Sequence, residues 1–157
     1  MINQSKETQC VQAGWNPKNG EPRVAPIVQS TTYKYDTAQG IADLFDLKAE
    51  GHMYSRISNP TCEALENKIA MLEGGVGALV TSSGQMASTV AIMNLASAGD
   101  HFIAAGTLYG GTVSLFTNTL KRMGVEVTLV DAELSLEELK TFIKPKETIS
   151  ASMVLVK

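Results

Sequence analysis

The sequence predicts an α/β fold: a mostly parallel sheet with flanking helices, preceded by an irregular N-terminal arm. Three observations carry this prediction. From residue 59 onward, helix-like and strand-like patterns alternate, which is how βαβ units are built. Residues 1–58 show no sustained hydrophobic period and hold Pro17, Pro22 and Pro26 with Gly14, Gly20, Gly40 and Gly51, as irregular chain does. The helical stretches after residue 59 carry distinct start and stop signals.

Within the arm, Ile27-Val28-Gln29 and Thr31-Thr32-Tyr33 read as extended pieces. A short helix fits Thr37 to Leu47, where Ile41, Leu44, Phe45 and Leu47 can share a face. Asn59 is a good N-cap and Pro60 a good first helical residue. Leu65, Ile69 and Leu72 repeat at helical spacing, and Gly74 ends that helix. Ala78-Leu79-Val80-Thr81 reads as a buried strand, and Ser82-Ser83-Gly84 turns the chain into a helix reaching about Ala96. After a turn at Ala98-Gly99-Asp100, His101 to Ala104 forms a strand. A glycine-rich loop, Gly106 to Gly111, leads to a helix with Val113, Leu115, Phe116 and Leu120, stopped by Gly124. Val125 to Val130 is the next strand, Ser135 and Glu138 make a capping box, and Ile149 to Val156 forms a last strand.

Composition narrows the function classes. The chain has 157 residues, 44% hydrophobic and 18% charged, which suits a folded domain with a real core. A net charge of -3 argues against a nucleic-acid reader. Cys10 and Cys62 form no C-x-x-C pair and belong to no metal motif, so a reducing compartment is expected, with Cys62 packed at its helix start. The residues from Met1 to Cys10 contain no apolar signal core, and no run is long enough to span a bilayer. A cytoplasmic location without a membrane partner is therefore expected. The seven methionines read as core filler.

The local pattern most suggestive of chemistry is Val80-Thr81-Ser82-Ser83-Gly84-Gln85-Met86, a strand, a tight turn and a helix start. A helix N-terminus offers unpaired N–H groups and the positive end of the dipole. Gly84 lets backbone approach a ligand, and Ser83 adds a hydroxyl. This is a candidate phosphate cradle; the same residues also describe an ordinary capped turn. Tyr109-Gly110-Gly111-Thr112, in the following βα loop, places an aromatic ring where a flat ligand ring could stack, or is a surface tyrosine. Tyr54-Ser55-Arg56 offers a planar guanidinium for phosphate beside a phenol, or an exposed loop arginine. His52 and His101 show no ligand spacing, and His101 opens an apolar strand, where a satisfied structural role fits.

Taken together and in order, Tyr54-Ser55-Arg56, Asn59-Pro60-Thr61, Leu72-Glu73-Gly74-Gly75, Thr81-Ser82-Ser83-Gly84-Gln85 and Leu108-Tyr109-Gly110-Gly111-Thr112 resemble the Cys/Met-metabolism family of pyridoxal-phosphate enzymes. The resemblance runs from about residue 5 to about 145. Its details look most like the O-acetylhomoserine sulfhydrylase branch; the γ-lyase branch usually has an apolar residue at the position of Gln85 and often a cysteine at that of Gly111.

The resemblance implies an aspartate-aminotransferase-like large domain (fold type I), of which residues 59–157 would be the front part and the chain a truncated form. Residues 1–58 would be an arm packing on a neighbouring subunit. It further implies that Gly84 and Gln85 offer backbone N–H groups to the phosphate of pyridoxal 5'-phosphate, with Ser83 beside them. Tyr109 would stack on the pyridine ring, while Tyr54 and Arg56 would reach the phosphate bound by the neighbouring subunit. Tyr109 and Tyr54 are the catalytic candidates. The expected partners are an amino-acid substrate and further copies of the chain, as a dimer or tetramer with shared active sites. The expected reaction is γ-replacement on O-acetylhomoserine by sulfide or a thiol, with a γ-lyase or cystathionine synthase as the alternative. The cofactor also needs a lysine to hold it covalently and an acid on its pyridine nitrogen. The resemblance puts both past Lys157, which lacks the family's Ser-x-Thr-Lys context. The chain alone is therefore expected to be inactive, or to act only by oligomerisation. An unrelated phosphate-binding module is the remaining alternative.

Overall fold

The structure is a computed structural model that describes residues 5–144 and the backbone of Val154–Leu155. Chain contacts divide it into two units, Met1–Val80 and Thr81–Lys157. Among the described residues, no helix is long and apolar enough to cross a membrane.

The first unit contains three helices: α1 (Lys6–Gln12), α2 (Ala38–Phe45) and α3 (Pro60–Glu73). α1 was not expected from the sequence. It has seven residues, none of them buried, too few to show a period. Its one local signal is Ser5, whose hydroxyl accepts from the Thr8 N–H. α2 and α3 follow expectation, capped by the Thr37 and Asn59 side chains, and Gly74 ends α3 in the left-handed conformation at φ 69°. The expected apolar faces are less buried. Leu44 is buried, but Phe45 and Leu47 are exposed, as are Leu65 and Ile69 on α3. Leu47 lies past the end of α2, at φ 56°. The extended pieces of the arm do not form strands; Thr32 makes a single antiparallel bridge with Tyr54.

What holds this unit is close backbone approach and polar contact. α1 packs on α3. Lys68 Nζ donates to the Cys10 carbonyl at 3.2 Å, and the chain leaves α1 through Gly14 at φ 87°. A Cβ at Gly14 would lie 2.1 Å from the Ala64 carbonyl oxygen and 2.8 Å from Lys68 Cβ.

The second unit is a three-stranded parallel sheet with helices, in the order β2-β1-β3. Its elements are α4 (Gly84–Leu95), β1 (His101–Ala105), α5 (Gly110–Ser114), β2 (Glu126–Val130), α6 (Leu136–Thr141) and β3 (Val154–Leu155). His101 to Ala104 are all buried, as a central strand of a parallel sheet requires. The register pairs Phe102 with Val127, and Ile103 with both Thr128 and Val154. Ile92, Ala96, Phe102, Ala104, Phe116, Leu120 and Val125 form the core.

The helix expected after the glycine-rich loop is present but changes its winding. Leu115–Leu120 is π-helical. Here Thr117 Oγ1 takes the Val113 carbonyl at 2.8 Å, an acceptor the α ladder would give to the Thr117 N–H, and such back-bonding distorts helices. The run still presents Phe116 and Leu120 to the core and stops at Gly124, φ 83°.

His101 has the structural role expected of it. Its Nε2 lies 2.7 Å from Thr128 Oγ1. Burial first, then the charge of Lys144, hold its pKa below the usual 6.5, with Glu126 opposing. The Ser135–Glu138 capping box of α6 is also present.

Three expectations fail. Residues 78–81 do not form a buried strand; Leu79 and Val80 are exposed. Among the described residues no strand runs beside them, and the Val80 N–H donates to Glu66 Oε1 at 2.8 Å instead. Among the described residues the methionines are not core filler: Met71, Met86, Met93 and Met123 are exposed and Met53 is half-buried. α4 is apolar around its circumference, yet only Ile92 of it is buried within the chain. Cys62 is exposed rather than packed. Of the strand expected over residues 149–156, Val154–Leu155 pairs with β1; the rest lies outside the described residues.

The geometry at Gly14 yields a paired test. A side chain in the left-handed region costs about 1–2 kcal/mol. Gly20→Ala should cost about that, because nothing lies within 4 Å of its Cβ position. Gly14→Ala adds a backbone clash, and its loss should be at least about 3 kcal/mol by urea unfolding. Equal losses would show that the approach of residue 14 to α3 is not needed.

Candidate functional site

The start of α4 forms as the sequence predicts, although no strand leads into it. Ser83 is extended at φ -165°, ψ 159°, and its hydroxyl accepts from the Met86 N–H at 3.2 Å. Thr81 Oγ1 closes the turn by donating to the Ser83 carbonyl at 2.9 Å. Gly84 and Gln85 are the first two helical residues, so their N–H groups have no acceptor within the helix. The space over Gly84 is open: a Cβ there meets nothing within 4 Å. The twelve-residue helix adds its dipole to that exposed N-terminus.

Tyr109 closes the loop after β1 and is the N-cap residue of α5, its carbonyl accepting from the Thr112 and Val113 N–H groups. The residue is 78% exposed, which leaves its ring open to a flat partner. Gly111 brings the two loops together. A Cβ built on it would lie 2.6 Å from Gln85 Nε2 and 2.6 Å from Tyr109 Cε1. Ser83, Gly84, Gln85 and Tyr109 thus gather within the second unit. Gln85 Oε1 is buried and, among the described residues, has no hydrogen-bond partner.

Tyr54 and Arg56 lie in the first unit. The Arg56 guanidinium sits over the Tyr54 ring, 5.3 Å from its centroid, a cation–π arrangement. Among the described residues no carboxylate pairs with it, so its fork of donors stays available. The segment is shaped by Asn59, which sequence reasoning treated only as a cap. Asn59 Nδ2 donates to Ser55 Oγ at 2.9 Å, the Val28 carbonyl at 3.1 Å and the Tyr33 hydroxyl at 3.3 Å, while Oδ1 accepts from the Thr61 N–H at 2.9 Å. Ser55 donates its own hydroxyl proton to the Ser30 carbonyl, so the Tyr33 hydroxyl donates to Ser55 Oγ at 3.1 Å. His52 bonds Ser58 Oγ through Nδ1 at 3.2 Å, and its Nε2 lies 3.1 Å from Glu63 Oε2. These partners are up to 31 residues away in sequence, so no local signal reveals them.

A cleft of about 300 Å³ lies elsewhere in the second unit, lined by Phe116, Thr117, Lys121, Glu126 and Val127. It sits at the amino end of β2, opposite the strand ends that ligands of parallel sheets favour, and it brings together no reactive group. Among the described residues, no cluster of three or more histidine, cysteine or acidic side chains could hold a metal ion.

Comparison with known proteins places this geometry in context. Residues 7–154 match the sequence profile of the Cys/Met metabolism PLP-dependent enzymes. The chain is 46% identical over 140 residues to the O-acetyl-L-homoserine sulfhydrylase of Corynebacterium glutamicum, covering 88% of this chain and 32% of that protein. It is 45% identical over 120 residues to the L-methionine gamma-lyase of Porphyromonas gingivalis, covering 76% and 30%. It superposes with a TM-score of 0.84 and 35% identity on a crystal structure from Campylobacter jejuni, named as an O-acetylhomoserine (thiol)-lyase and carrying N'-pyridoxyl-lysine-5'-monophosphate; 90% of this chain and 35% of that one are covered. The chain spans about a third of the length of these relatives.

The Asn59 contacts predict how the Tyr54–Arg56 segment responds to substitution. Asn59→Ala removes the cap and strands buried partners, and should cost about 2–3 kcal/mol by urea unfolding. Asn59→Asp retains the cap but not the donors, and should fall between wild type and Asn59→Ala. An Asp variant as unstable as the Ala variant would assign the whole effect to the lost Nδ2 donors and none to the cap.

Proposed function

The chain belongs to the Cys/Met metabolism family of PLP-dependent enzymes, and on that premise we propose that the whole enzyme to which these residues correspond catalyses γ-replacement on O-acetylhomoserine, expelling acetate from Cγ and bonding sulfide or a thiol there. The observation that carries this reading is the open start of α4 lying beside an exposed Tyr109 ring, with Gly111 between them. An anion fits the N–H groups of Gly84 and Gln85, and a flat ring fits the exposed ring of Tyr109. Pyridoxal 5'-phosphate has both parts in one molecule.

When bound, this cofactor supplies an electron sink for charge that develops on the substrate carbons. The protein's residues supply the holding. Gly84 and Gln85 donate backbone N–H to the phosphate, the α4 dipole favours its charge, and Ser83 fixes the turn through its cap to Met86. Tyr109 covers one ring face and keeps water from it. We assign Tyr54 and Arg56 to the phosphate of a neighbouring copy, with residues 1–58 as the arm that docks there in a homodimer or homotetramer. Tyr54 backs the guanidinium by its ring contact, and no protein carboxylate among the described residues competes for Arg56.

The relative named as a methionine γ-lyase supports a second reading, in which the γ-substituent leaves without replacement. An assay with O-acetylhomoserine and sulfide separates the two. The proposal expects homocysteine with retention of the amino group; an α-keto acid and ammonia would indicate elimination. No turnover of either substrate by the holoenzyme would leave a role in oligomerisation only. The anchoring is tested by Gly84→Pro. Proline suits a first helical position after an extended residue, so the fold should survive while one N–H is lost. Cofactor affinity should drop roughly 10- to 100-fold, the range for a hydrogen bond to a charged group. Unchanged affinity would remove the cradle from the mechanism.

A further inference from the structure

Gly110 and Gly111 are the first two residues of α5, and neither has a positive φ. Their backbone conformations would accept any residue, so only the space around each can demand glycine. That space differs sharply between them. A Cβ on Gly110 meets nothing within 4 Å, whereas one on Gly111 lies 2.6 Å from Gln85 Nε2, 2.6 Å from Tyr109 Cε1 and 3.2 Å from Tyr109 Cδ1. Real Cβ atoms do not approach neighbours below 3 Å. The missing side chain of residue 111 is therefore the seat in which the Gln85 carboxamide and the Tyr109 ring edge meet.

The carboxamide gains little there by hydrogen bonding. Its oxygen is buried and has no partner among the described residues, an arrangement that normally costs stability. What admits the group is space: the amide nitrogen and the Tyr109 ring edge both lie against the glycine, where a Cβ would meet each of them. Tyr109 is otherwise largely exposed, so the amide and the glycine lie at the edge of a ring that is open to solvent.

We propose that Gly111 and the Gln85 side chain act together as a shim that sets the plane of the Tyr109 ring, making both of them positioning residues for an aromatic ligand stacked on Tyr109. The Gln85 side chain has this role in addition to the backbone N–H of the same residue. The proposal rests on the reading of Tyr109 as the ring partner of the cofactor, and it adds what fixes that ring. A methyl at residue 111 would occupy the place of the amide and push it against the ring. Shortening Gln85 to alanine removes one of the two clashes of that methyl and gives the Tyr109 ring edge room to yield to the other.

The test compares Gly111→Ala, Gln85→Ala, the double variant and Gly110→Ala in the holoenzyme, with thermal unfolding to confirm that each folds. Affinity is measured for two probes, pyridoxal 5'-phosphate and inorganic phosphate. Each single shim variant should weaken pyridoxal phosphate by roughly three- to tenfold, the span of one aromatic stacking contact, and Gly111→Ala should leave phosphate affinity unchanged. The double variant should bind pyridoxal phosphate better than Gly111→Ala alone, and Gly110→Ala should bind it like wild type. Multiplying losses in the double variant, or a Gly110→Ala loss equal to that of Gly111→Ala, would overturn the shim. A ligand-free readout separates this outcome from failure of the cofactor reading. Gln85 side-chain amide protons should show a nuclear Overhauser contact to the Gly111 Cα protons. If that contact is present while the protein takes up no pyridoxal phosphate, the cofactor reading fails and the shim stands; if it is absent, the shim fails.

Discussion

The contact on which the second unit depends is edge-to-face packing of Phe102 against Phe116, with ring centroids 5.0 Å apart and planes at 86°. Both side chains are among the most deeply buried in the chain. Phe102 belongs to the central strand and Phe116 to the helical run that starts at Gly110. Their contact therefore fixes both ends of the loop that carries Tyr109. Ile92 of α4 and its C-cap residue Ala96 join the same cluster, so one apolar core holds α4 and the loop after β1 against each other. Such a pair contributes about 0.5–1.5 kcal/mol beyond its buried area. Its larger effect is geometric, because two loops that need only small residues at their tips receive their positions from a core beneath them.

The first unit is held by a different means. Its helices bury few apolar side chains, and Leu65 and Ile69 remain exposed on α3. Order comes from backbone approach at Gly14 and from bonds that reach far along the chain: Asn59 to Val28, Thr61 to Pro26 and Val28, Tyr35 to the His52 carbonyl. Each such bond adds about 1 kcal/mol net, but losing one partner leaves a half-buried group unsatisfied and costs more. A segment held this way is sensitive to single polar substitutions, and it delivers Tyr54 and Arg56 with little core behind them.

Local signals were the legible part of the sequence. Caps at Asn59, Ser83 and Ser135 and stops at Gly74 and Gly124 all sit where their side-chain or backbone chemistry requires. The alternation of elements after residue 59 gave the parallel sheet, and the ordered motifs gave the family. What was not legible depends on partners distant in sequence. α1 is too short to show a period. The apolar run at 78–81 looks like a strand because strand propensity is local, whereas strand formation needs a neighbour to pair with. Exposed methionines on α4 read as core because hydrophobicity says nothing about which surface covers them. The importance of Gly111 was hidden for the same reason: glycine tolerates any conformation, and only the position of Gln85 and Tyr109 shows that space is what it provides.

The central claim is that the N–H groups of Gly84 and Gln85 form an anion cradle at the start of α4. The most direct measurement follows backbone amide resonances of the ¹⁵N-labelled protein as inorganic phosphate is added at constant ionic strength. The account predicts the largest, saturable shifts at Gly84 and Gln85, downfield as an N–H hydrogen-bonded to an anion moves. Shifts confined to other residues, or a uniform drift without saturation, would contradict it.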